Sequence, residues 1–431
     1  MKRKRLIILI LIVLGLIIVF AVFGRGKQVS TQNTDQSGRS GFSDIFSNLG
    51  NLFSPSNNTG TPTDNTNQNN QIDNTIQDGS VYTTLKKVSS EPVAGYTFYD
   101  YEEKIEYTNQ DGKKEEVVEN KNLIRYMKKT TGFVSDTNTQ VFPLTEVRIS
   151  NTTIPKIQEA VFFNNATGVI TRLLDDDLET IKTFQGTITP GSGSQPGNVT
   201  GSFIEENIPE IAISPNGTNM VYYKKSNYDT FFYNKNLLTS GNDSFFNTSF
   251  YSWLMDFTNE NTLTLSTKGS YYTDGYVYSL HLDGKLNKIL GGKKGMVGKL
   301  SPNENYLLYS ISQGNSFKLY LYDIKEGRDV DTGIRTLVDK CVWGKVSQYI
   351  YCGVPQNPLS GIYPDDWYLG NKNFSDSIWK INVSTNSAFK ISDVSSESKE
   401  DIDVIELQIN SLDNRLGFIN KNDYSLWMLD L

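Results

Sequence analysis

One turn sequence recurs along the chain and constrains the fold more than any other feature. Residues 213–223 predict a strand, a tight turn of Ser-Pro-Asn-Gly and a second strand, and residues 300–309 repeat the pattern with Ser-Pro-Asn-Glu. Proline presets φ and Asn-Gly tolerates positive φ, so the turn joins two adjacent strands. Weaker copies occupy residues 343–352 and 409–418.

The spacing of these copies indicates a repeat architecture. The equivalent positions Ser214, Ser301, Gly344 and Asn410 are 87, 43 and 66 residues apart. The first spacing is about twice the second, which predicts a degenerate copy at residues 253–265, and the third is one period plus an insertion. A period of roughly 40–45 residues with about four strands is typical of a β-propeller blade.

Two further patterns recur at the same period. An aliphatic-aromatic pattern predicts the third strand of four blades at residues 277–281, 319–323, 378–382 and 426–430. A short basic-aliphatic pattern predicts outer strands at residues 87–89, 148–150, 288–290 and 390–392. First strands are predicted near Ala94, Ala160, Ala212, Leu254, Val297, Val342 and Leu407. The chain is therefore predicted to be an all-β propeller of about seven four-stranded blades.

The two ends of the repeat region predict how the ring closes. The last copy ends after its third strand, whereas residues 85–89 predict an outer strand with no blade before it. We expect strand 85–89 to complete the last blade, because an open ring would leave two unpaired strand edges. The propeller domain is thus expected over residues 81–431.

The N-terminal segment predicts a membrane anchor. Basic residues 1–5 precede an unbroken apolar run at residues 6–23. Its 18 residues span about 27 Å as a helix, close to the hydrocarbon thickness of a bilayer. No small-x-small cleavage site follows, which favours an uncleaved signal anchor over a removed signal peptide. The basic tail is expected in the cytoplasm and the propeller outside it, at a single-pass cell membrane location.

Residues 24–80 predict a tether between anchor and propeller. The segment is rich in Ser, Asn, Thr, Gln, Asp and Gly, which is typical of disorder. Apolar residues at helical spacing predict a short amphipathic helix at residues 42–53, which would lie on the membrane or dock on a partner. The alternatives are an apolar patch within a disordered tether and a segment packed on the propeller itself.

Composition excludes several classes of function. The formal net charge of −7 argues against a nucleic-acid partner, which requires a basic face. His281 is the only histidine, which nearly excludes Ser-His-Asp triads and histidine metal sites. No phosphate-binding glycine loop is present. We therefore predict no catalytic residue, no metal site and no cofactor.

Cys341 and Cys352 are the only cysteines. A hairpin centred between Val346 and Ser347 places them directly opposite each other. A non-hydrogen-bonded antiparallel pair brings Cα atoms to about 4.5 Å, within the range of a disulfide. The residues are candidates for a disulfide outside the cytoplasm, and the alternative is a pair of buried thiols.

The longest late insertion, residues 354–374, contains the candidate binding residues. Aromatic and acidic side chains on a long propeller loop suit recognition of a peptide or glycan. An alternative is a structural plug packed over a neighbouring blade, and catalysis is disfavoured because adjacent carboxylates rarely reach acid–nucleophile geometry. The candidates are Tyr363, Asp365, Asp366, Trp367 and Tyr368.

The turns at Ser214-Pro215-Asn216-Gly217 and Ser301-Pro302-Asn303 resemble those of TolB-like and WD-repeat-like propellers. Residues 81–431 resemble the propellers of bacterial membrane-anchored proteins. The resemblance implies the fold and a cell-envelope setting, and it implies no functional residue, because this chain departs from TolB by its predicted anchor and its lack of a second globular domain.

Three functions are compatible with this architecture. The leading hypothesis is a non-enzymatic, membrane-tethered module that binds an envelope protein, peptide or glycan. The second is an envelope hydrolase or lyase with a carboxylate site in the propeller funnel, and the third is a structural spacer. The fold alone cannot choose among them, since propellers host many functions.

Overall fold

Seven four-stranded antiparallel sheets make up the computed structural model of this protein. It describes residues 85–108, 112–191, 195–357 and 360–431. Within these residues no helix is long and apolar enough to cross a membrane. The predicted cytoplasmic tail, anchor, tether and amphipathic helix, at residues 1–5, 6–23, 24–80 and 42–53, lie outside the described residues.

Each sheet is one blade, and its strands follow one another in sequence from the innermost strand outwards. Blade 1 contains β2 (Val93–Thr108), β3 (Lys114–Lys128), β4 (Val134–Asn138) and β5 (Glu146–Arg148). Blade 2 contains β6 (Ile157–Phe163), β7 (Gly168–Leu174), β8 (Ile181–Thr189) and β9 (Asn198–Glu206). Blade 3 contains β10 (Ile211–Ile213), β11 (Asn219–Lys225), β12 (Thr230–Asn236) and β13 (Asn242–Thr248). Blade 4 contains β14 (Trp253–Phe257), β15 (Thr262–Thr267), β16 (Asp274–His281) and β17 (Leu286–Lys294).

The remaining blades continue the same order. Blade 5 contains β18 (Val297–Leu300), β19 (Tyr306–Gln313), β20 (Ser316–Asp323) and β21 (Arg328–Asp331). Blade 6 contains β22 (Cys341–Trp343), β23 (Tyr349–Pro355), β24 (Asp376–Asn382) and β25 (Ser387–Ser392). Blade 7 contains β26 (Val404–Ile409), β27 (Arg415–Asn420), β28 (Leu426–Asp430) and β1 (Leu85–Ser89). The short helices are a 3₁₀ turn (Val338–Lys340), α1 (Asp365–Tyr368) and α2 (Val394–Ser398).

The predicted propeller is confirmed strand by strand. All seven predicted first-strand positions fall in the innermost strands or directly beside them, and the four predicted third strands are β16, β20, β24 and β28. β1 pairs with β28 as the outermost strand of blade 7, with Leu85 opposite Leu429. The part of the predicted closure that falls in the described residues, the pairing of residues 85–89 with the last blade, is observed.

Hydrophobic clusters between adjacent blades hold the ring together. Seven buried clusters lie at the interfaces of blades 1–2, 2–3, 3–4, 4–5, 5–6, 6–7 and 7–1. In the cluster of blades 7 and 1, for example, Ile419 and Leu426 pack with Tyr96 and Tyr126. The core is thus distributed around the ring, and each blade is stabilised mainly by its two neighbours.

The repeated turn owes its sequence to a local hydrogen-bond network. In blade 3 the Ser214 hydroxyl donates to Asn216 Oδ1 at 2.7 Å and accepts from the Asn219 backbone N–H at 3.0 Å. Ser301 makes the same two contacts in blade 5, with Asn303 and Tyr306. A buried serine that satisfies the first N–H of the second strand fixes the register of each hairpin.

Strand alternation places the connections at two ends of the propeller. At the lower end, first strands lead to second strands and third strands lead to fourth strands. At the upper end, second strands lead to third strands and each blade leads to the next. The repeated turns are therefore at the lower end, whereas the long insertion between β23 and β24 is at the upper end.

Candidate functional site

The insertion between β23 and β24 crosses two neighbouring blades at the upper end. It leaves blade 6 and contacts blade 5, where the Gly361 N–H donates to the Asn315 carbonyl at 3.0 Å. It then reaches blade 4, where Asp365 accepts hydrogen bonds from the Ser270 hydroxyl at 2.8 Å and the Tyr271 N–H at 2.7 Å. The insertion therefore forms a strap across part of the upper end.

Two of the predicted binding residues point into the protein. Tyr363 is fully buried and packs edge-on against Phe317, with ring centroids 4.8 Å apart. Trp367 is only 6% exposed and belongs to the same cluster, together with Phe374. These two aromatic side chains therefore anchor the strap, and neither presents a surface to a ligand.

A buried ion cluster lies beneath Trp367. The indole N–H donates to Asp403 Oδ2 at 3.0 Å, and Asp403 also contacts the ammonium of Lys340. Lys340 Nζ lies 2.7 Å from Asp376 Oδ2, and all three charged side chains are fully buried. Burial raises the pKa of Asp376, and the ammonium of Lys340 opposes that rise. Lys340 thus lies between two buried carboxylates, and the ammonium of Lys421 lies 4.0 Å from the second of them, Asp403.

Of the remaining predicted residues, Asp366 stabilises the strap and Tyr368 reaches the central channel. Asp366 accepts a hydrogen bond from the Ile362 N–H at 2.8 Å within the strap. The Tyr368 hydroxyl donates to the carboxylate of Asp339 at 3.2 Å. Asp339 lies in the 3₁₀ turn, two residues before the innermost strand of blade 6, so Tyr368 is the member of the predicted group that reaches the central channel. The arrangement fits the alternative of a structural plug for the other four residues.

Charged side chains from several blades converge where the channel opens at the upper end. Innermost strands line the channel of a propeller. Carboxylates come from the start of four innermost strands or from the residues just before them: Glu159, Glu210, Asp339 and Glu406. Cations come from second strands or the residues just after them: Lys129, Arg172 and Lys268. These seven residues and Tyr368 are called the channel-mouth cluster below.

The carboxylates of the cluster differ in their hydrogen-bond and ion-pair partners. Glu159 pairs with Arg172, whose Nη1 lies 2.7 Å away, and Asp339 accepts from Tyr368. Among the residues that the structure describes, the carboxyl groups of Glu210 and Glu406 have no hydrogen-bond or ion-pair partner. Two acidic groups at the mouth therefore retain free acceptor oxygens, which a ligand can occupy.

Burial and mutual repulsion raise the pKa values of these carboxyl groups towards neutral pH. Burial and then the charge of Glu159 raise the pKa of Glu210 to about 7, and Arg172 opposes the shift. Burial and again Glu159 raise the pKa of Glu406 to about 7. The side chain of Glu406 is exposed. Its pKa is raised because the protein that surrounds it stabilises a charge less well than bulk water does.

Burial also raises the pKa values of Asp339 and, elsewhere on an innermost strand, of Asp256, while Lys299 opposes both shifts. The described residues contain no group of three or more His, Cys, Asp or Glu side chains that could hold a metal ion. The cluster is thus a mixed assembly of carboxylates and cations.

The two cysteines lie in blade 6, where Cys341 follows Asp339 by two residues. Cys341 pairs directly with Cys352 across β22 and β23. Their Cα atoms are 4.1 Å apart, and their sulfur atoms are joined at 2.12 Å in a disulfide. Both residues belong to the hydrophobic cluster between blades 5 and 6, so the bridge lies in the core.

The sequence did not predict the channel-mouth cluster, because its members are spread over nearly 280 positions. One signal was available. Each of the four carboxylates precedes a predicted first-strand residue by three positions or fewer, as Glu159 precedes Ala160 and Glu406 precedes Leu407. Alignment of the repeats around these positions would have placed the acidic side chains at one end of the channel.

No protein-family model matches this chain, and no curated protein matches it either. Many solved structures are similar in fold, all of those described here at low identity. One is TolB from Acinetobacter baumannii, with 10% identity over 78% of this chain and 80% of that chain and a TM-score of 0.38.

Two other similar structures show the same low identity. The β-propeller domain of the trilobed protease from Pyrococcus furiosus has 9% identity over 77% of this chain and 96% of that chain, with a TM-score of 0.45. Oligogalacturonate lyase from Vibrio parahaemolyticus has 10% identity over 79% of this chain and 98% of that chain, with a TM-score of 0.42. These similarities carry no argument about function, and the seven sheets themselves establish that this chain is a seven-bladed β-propeller.

Proposed function

We propose that this chain is a membrane-tethered interaction module of the bacterial cell envelope. At the channel mouth it would bind a positively charged group of a protein or peptide segment. The apolar run at residues 6–23 supports the tether. The observation that carries the binding role is the pair of unpartnered carboxyl groups, Glu210 and Glu406, which face a mouth that two further carboxylates share.

The chemistry of the mouth favours an ammonium or guanidinium group over a neutral glycan. An incoming cation would replace water around the two free carboxylates and form charge-assisted hydrogen bonds, which are stronger than neutral ones. Because innermost strands line the channel, a slender side chain or chain terminus would reach these carboxylates more readily than a folded surface would. The strap would act as a fixed wall of the site.

Peptide binding to the purified full chain tests this proposal. The probes are short lysine peptides and matched peptides whose lysine is acetylated, measured by calorimetry at pH 8. We expect the free-lysine peptides to bind and the acetylated ones to bind weakly. Glu210→Gln and Glu406→Gln should each reduce affinity about tenfold, since a charge-assisted hydrogen bond contributes about 1.5–3 kcal/mol.

The control variant is Glu326→Gln, an exposed carboxylate in the turn between β20 and β21 at the lower end. It should leave the affinity unchanged. Equal binding of free and acetylated peptides would contradict recognition of a cation at the mouth. Sedimentation of the full chain and of a variant lacking residues 6–23 tests the tether, since only the full chain should remain with membranes.

The second candidate is a hydrolase or lyase that uses the same mouth. The observation that favours it is the pKa of about 7 of both Glu210 and Glu406, because a general acid or base functions best when its pKa lies near the working pH. Mass spectrometry of the peptide probes and of acidic oligosaccharides after incubation separates the two roles. Product that disappears in Glu210→Gln would favour the enzyme.

A further inference from the structure

The first two strands of blade 1 extend far beyond the blade at the lower end. β2 and β3 pair continuously from Gly95–Met127 to Thr108–Lys114, whereas β4 pairs with β3 only between Leu123 and Met127. The described residues contain no strand beside the distal half of β3. That half therefore presents an unpaired edge, which is a ready template for another extended chain.

The two faces of this projecting hairpin differ in chemistry. Residues directly opposite each other lie on the same face, so Ile105 and Val117 share one face and Lys104 and Val118 share the other. Both faces carry ion pairs, Lys104 with Glu116 at 2.8 Å on one, and Lys121 with the carboxylates of residues 103 and 119 on the other. The face with Ile105 also carries the exposed rings of Tyr101 and Tyr107, and we call it the apolar face.

Acidic side chains border the apolar face. Glu119 and Glu115 flank Val117 on β3, and Glu103 lies opposite Glu119 on β2. Lys121 is the one lysine on this stretch of the face, so three carboxylates and one ammonium leave a net charge of −2. The face continues at its base into a groove of about 300 Å³, whose apolar lining includes Tyr101 and Leu123. Exposed apolar area bordered by charge is typical of a binding surface.

We propose that the free edge of β3 binds an extended segment of a partner protein with a basic–x–apolar–x–basic pattern. The partner would add a strand beside β3, so that its backbone groups pair with the edge. On the apolar face its central aliphatic residue would lie beside Val117, and its two basic residues would lie beside Glu115 and Glu119. This surface is at the opposite end from the channel mouth and is independent of the proposed function there.

Binding of two matched peptides to the full chain in nanodiscs of zwitterionic lipid tests the proposal. The probes are acetylated and amidated Thr-Lys-Thr-Val-Thr-Lys-Thr and Thr-Glu-Thr-Val-Thr-Glu-Thr, measured by fluorescence anisotropy. We expect the lysine peptide to bind at least about tenfold more tightly, because its cross-strand pairs with the two glutamates are attractive rather than repulsive. Absence of binding by the lysine peptide would overturn the proposal.

Val117 and Val118 provide a matched pair of variants. They are adjacent, equally exposed at 46% and 48%, and lie on opposite faces. Val117→Ser should weaken binding of the lysine peptide about threefold or more, whereas Val118→Ser should leave it within the error of the measurement. Equal effects of the two substitutions would contradict docking along the apolar face.

Two further readouts separate folding and self-association from the proposed role. Glu119→Lys keeps a long charged side chain at the same strand position and should remove most of the preference between the two peptides, because each peptide then makes one attractive and one repulsive pair. Sedimentation velocity of the full chain reports self-association. A dimer that Val117→Ser dissociates would replace the partner segment with a second copy of this chain and overturn the proposal.

Discussion

The fourth residue of the repeated turn adopts a left-handed backbone conformation in four copies. Gly217, Glu304, Ser347 and Asp413 have φ values of 69°, 58°, 58° and 52°. Only the first copy has glycine, for which this conformation costs nothing. The other copies accept a cost of about 1 kcal/mol each. Side-chain hydrogen bonds of Ser301 and Asn410 hold two of these turns closed, whereas the turn that begins at Gly344 is closed by backbone hydrogen bonds alone.

Gly217 has a second constraint beyond its φ. A Cβ at this position would lie 2.3 Å from the backbone nitrogen of Asn164 in blade 2. We expect Gly217→Ala to reduce the free energy of unfolding by more than about 2 kcal/mol, measured in urea. The control is Gly370→Ala, where φ is 75° and the space is open, so only the conformational cost of about 1–2 kcal/mol applies. Equal losses of unfolding free energy in the two variants would show that the close approach of blade 2 to Gly217 adds no cost of its own.

Lys340 is the cation on which the strap depends. Its removal would leave Asp376 buried without a counter-charge and Asp403 with only Lys421, whose ammonium lies 4.0 Å away. Lys340→Met should therefore lower the free energy of unfolding by about 3–5 kcal/mol. Lys390→Met is the control, since Lys390 pairs with Asp393 near the surface at 3.3 Å and such a pair contributes about 0–1 kcal/mol. A loss as small as that of the control would contradict a structural role for the buried cluster.

At the scale of elements, β1 is the strand that links the two ends of the described chain. Lys86 pairs with Asp430 at 2.7 Å, and the ammonium of Lys87 lies 4.7 Å from the ring of Trp427. These contacts and the backbone ladder cover the outer edge of β28. Without β1, that edge and part of the cluster between blades 7 and 1 would be exposed.

Deletion of residues 85–89 should lower the melting temperature by several degrees and promote aggregation through the bare edge. The control is a deletion of equal length at residues 65–69, which lie outside the described elements and should not change the melting temperature. Differential scanning fluorimetry and light scattering measure both effects. An unchanged melting temperature after loss of residues 85–89 would show that the ring does not depend on this strand.

The elements also show why local sequence predicted the blades so well and the strap so poorly. The repeated hairpins of blades 3 and 5 depend on turn chemistry that is confined to six residues, such as Ser214 to Asn219, so the sequence around each turn contains the cause of the structure. The strap depends instead on Asp403, which is 36 residues from Trp367. Aromatic and acidic residues on a loop resemble a binding site until such distant partners are known.

At the scale of the whole molecule, the channel mouth depends on all seven blades being closed. Glu210 and Glu406 come from blades 3 and 7, and both are influenced by Glu159 of blade 2. These residues are far apart in the sequence and become neighbours only when the ring closes, so no short stretch of sequence contains them all. The sequence therefore allowed the fold to be predicted in detail, and it allowed only the general possibility of a carboxylate funnel.

The raised pKa values predict how stability depends on pH. In the folded protein Glu210 and Glu406 bind protons up to about pH 7, whereas in the unfolded chain they release them near their usual value of 4.5. The folded state binds more protons in this interval, so stability falls as pH rises from about 5 to 7. Affinity for a cationic ligand should follow the opposite trend and increase from pH 6 to pH 8.

Melting temperatures between pH 5 and pH 8 measure the contribution of these groups. The double variant Glu210→Gln with Glu406→Gln should lose less stability over this range than the wild-type protein. Glu326→Gln, with its exposed carboxylate, should retain the wild-type dependence. Parallel curves for the double variant and the wild type would show that the mouth carboxyl groups titrate near their usual pKa.

The position of β1 has a mechanical consequence. Any pull on the chain ahead of Leu85 enters the propeller along the axis of β1, which is antiparallel to β28. Such a pull acts in shear, so the force is shared by all the hydrogen bonds between the two strands. In peeling, by contrast, the hydrogen bonds would break one after another. The ring would thus resist extension at the joint where its two ends meet, and its lifetime under load would be set by the rate of unfolding of blade 7.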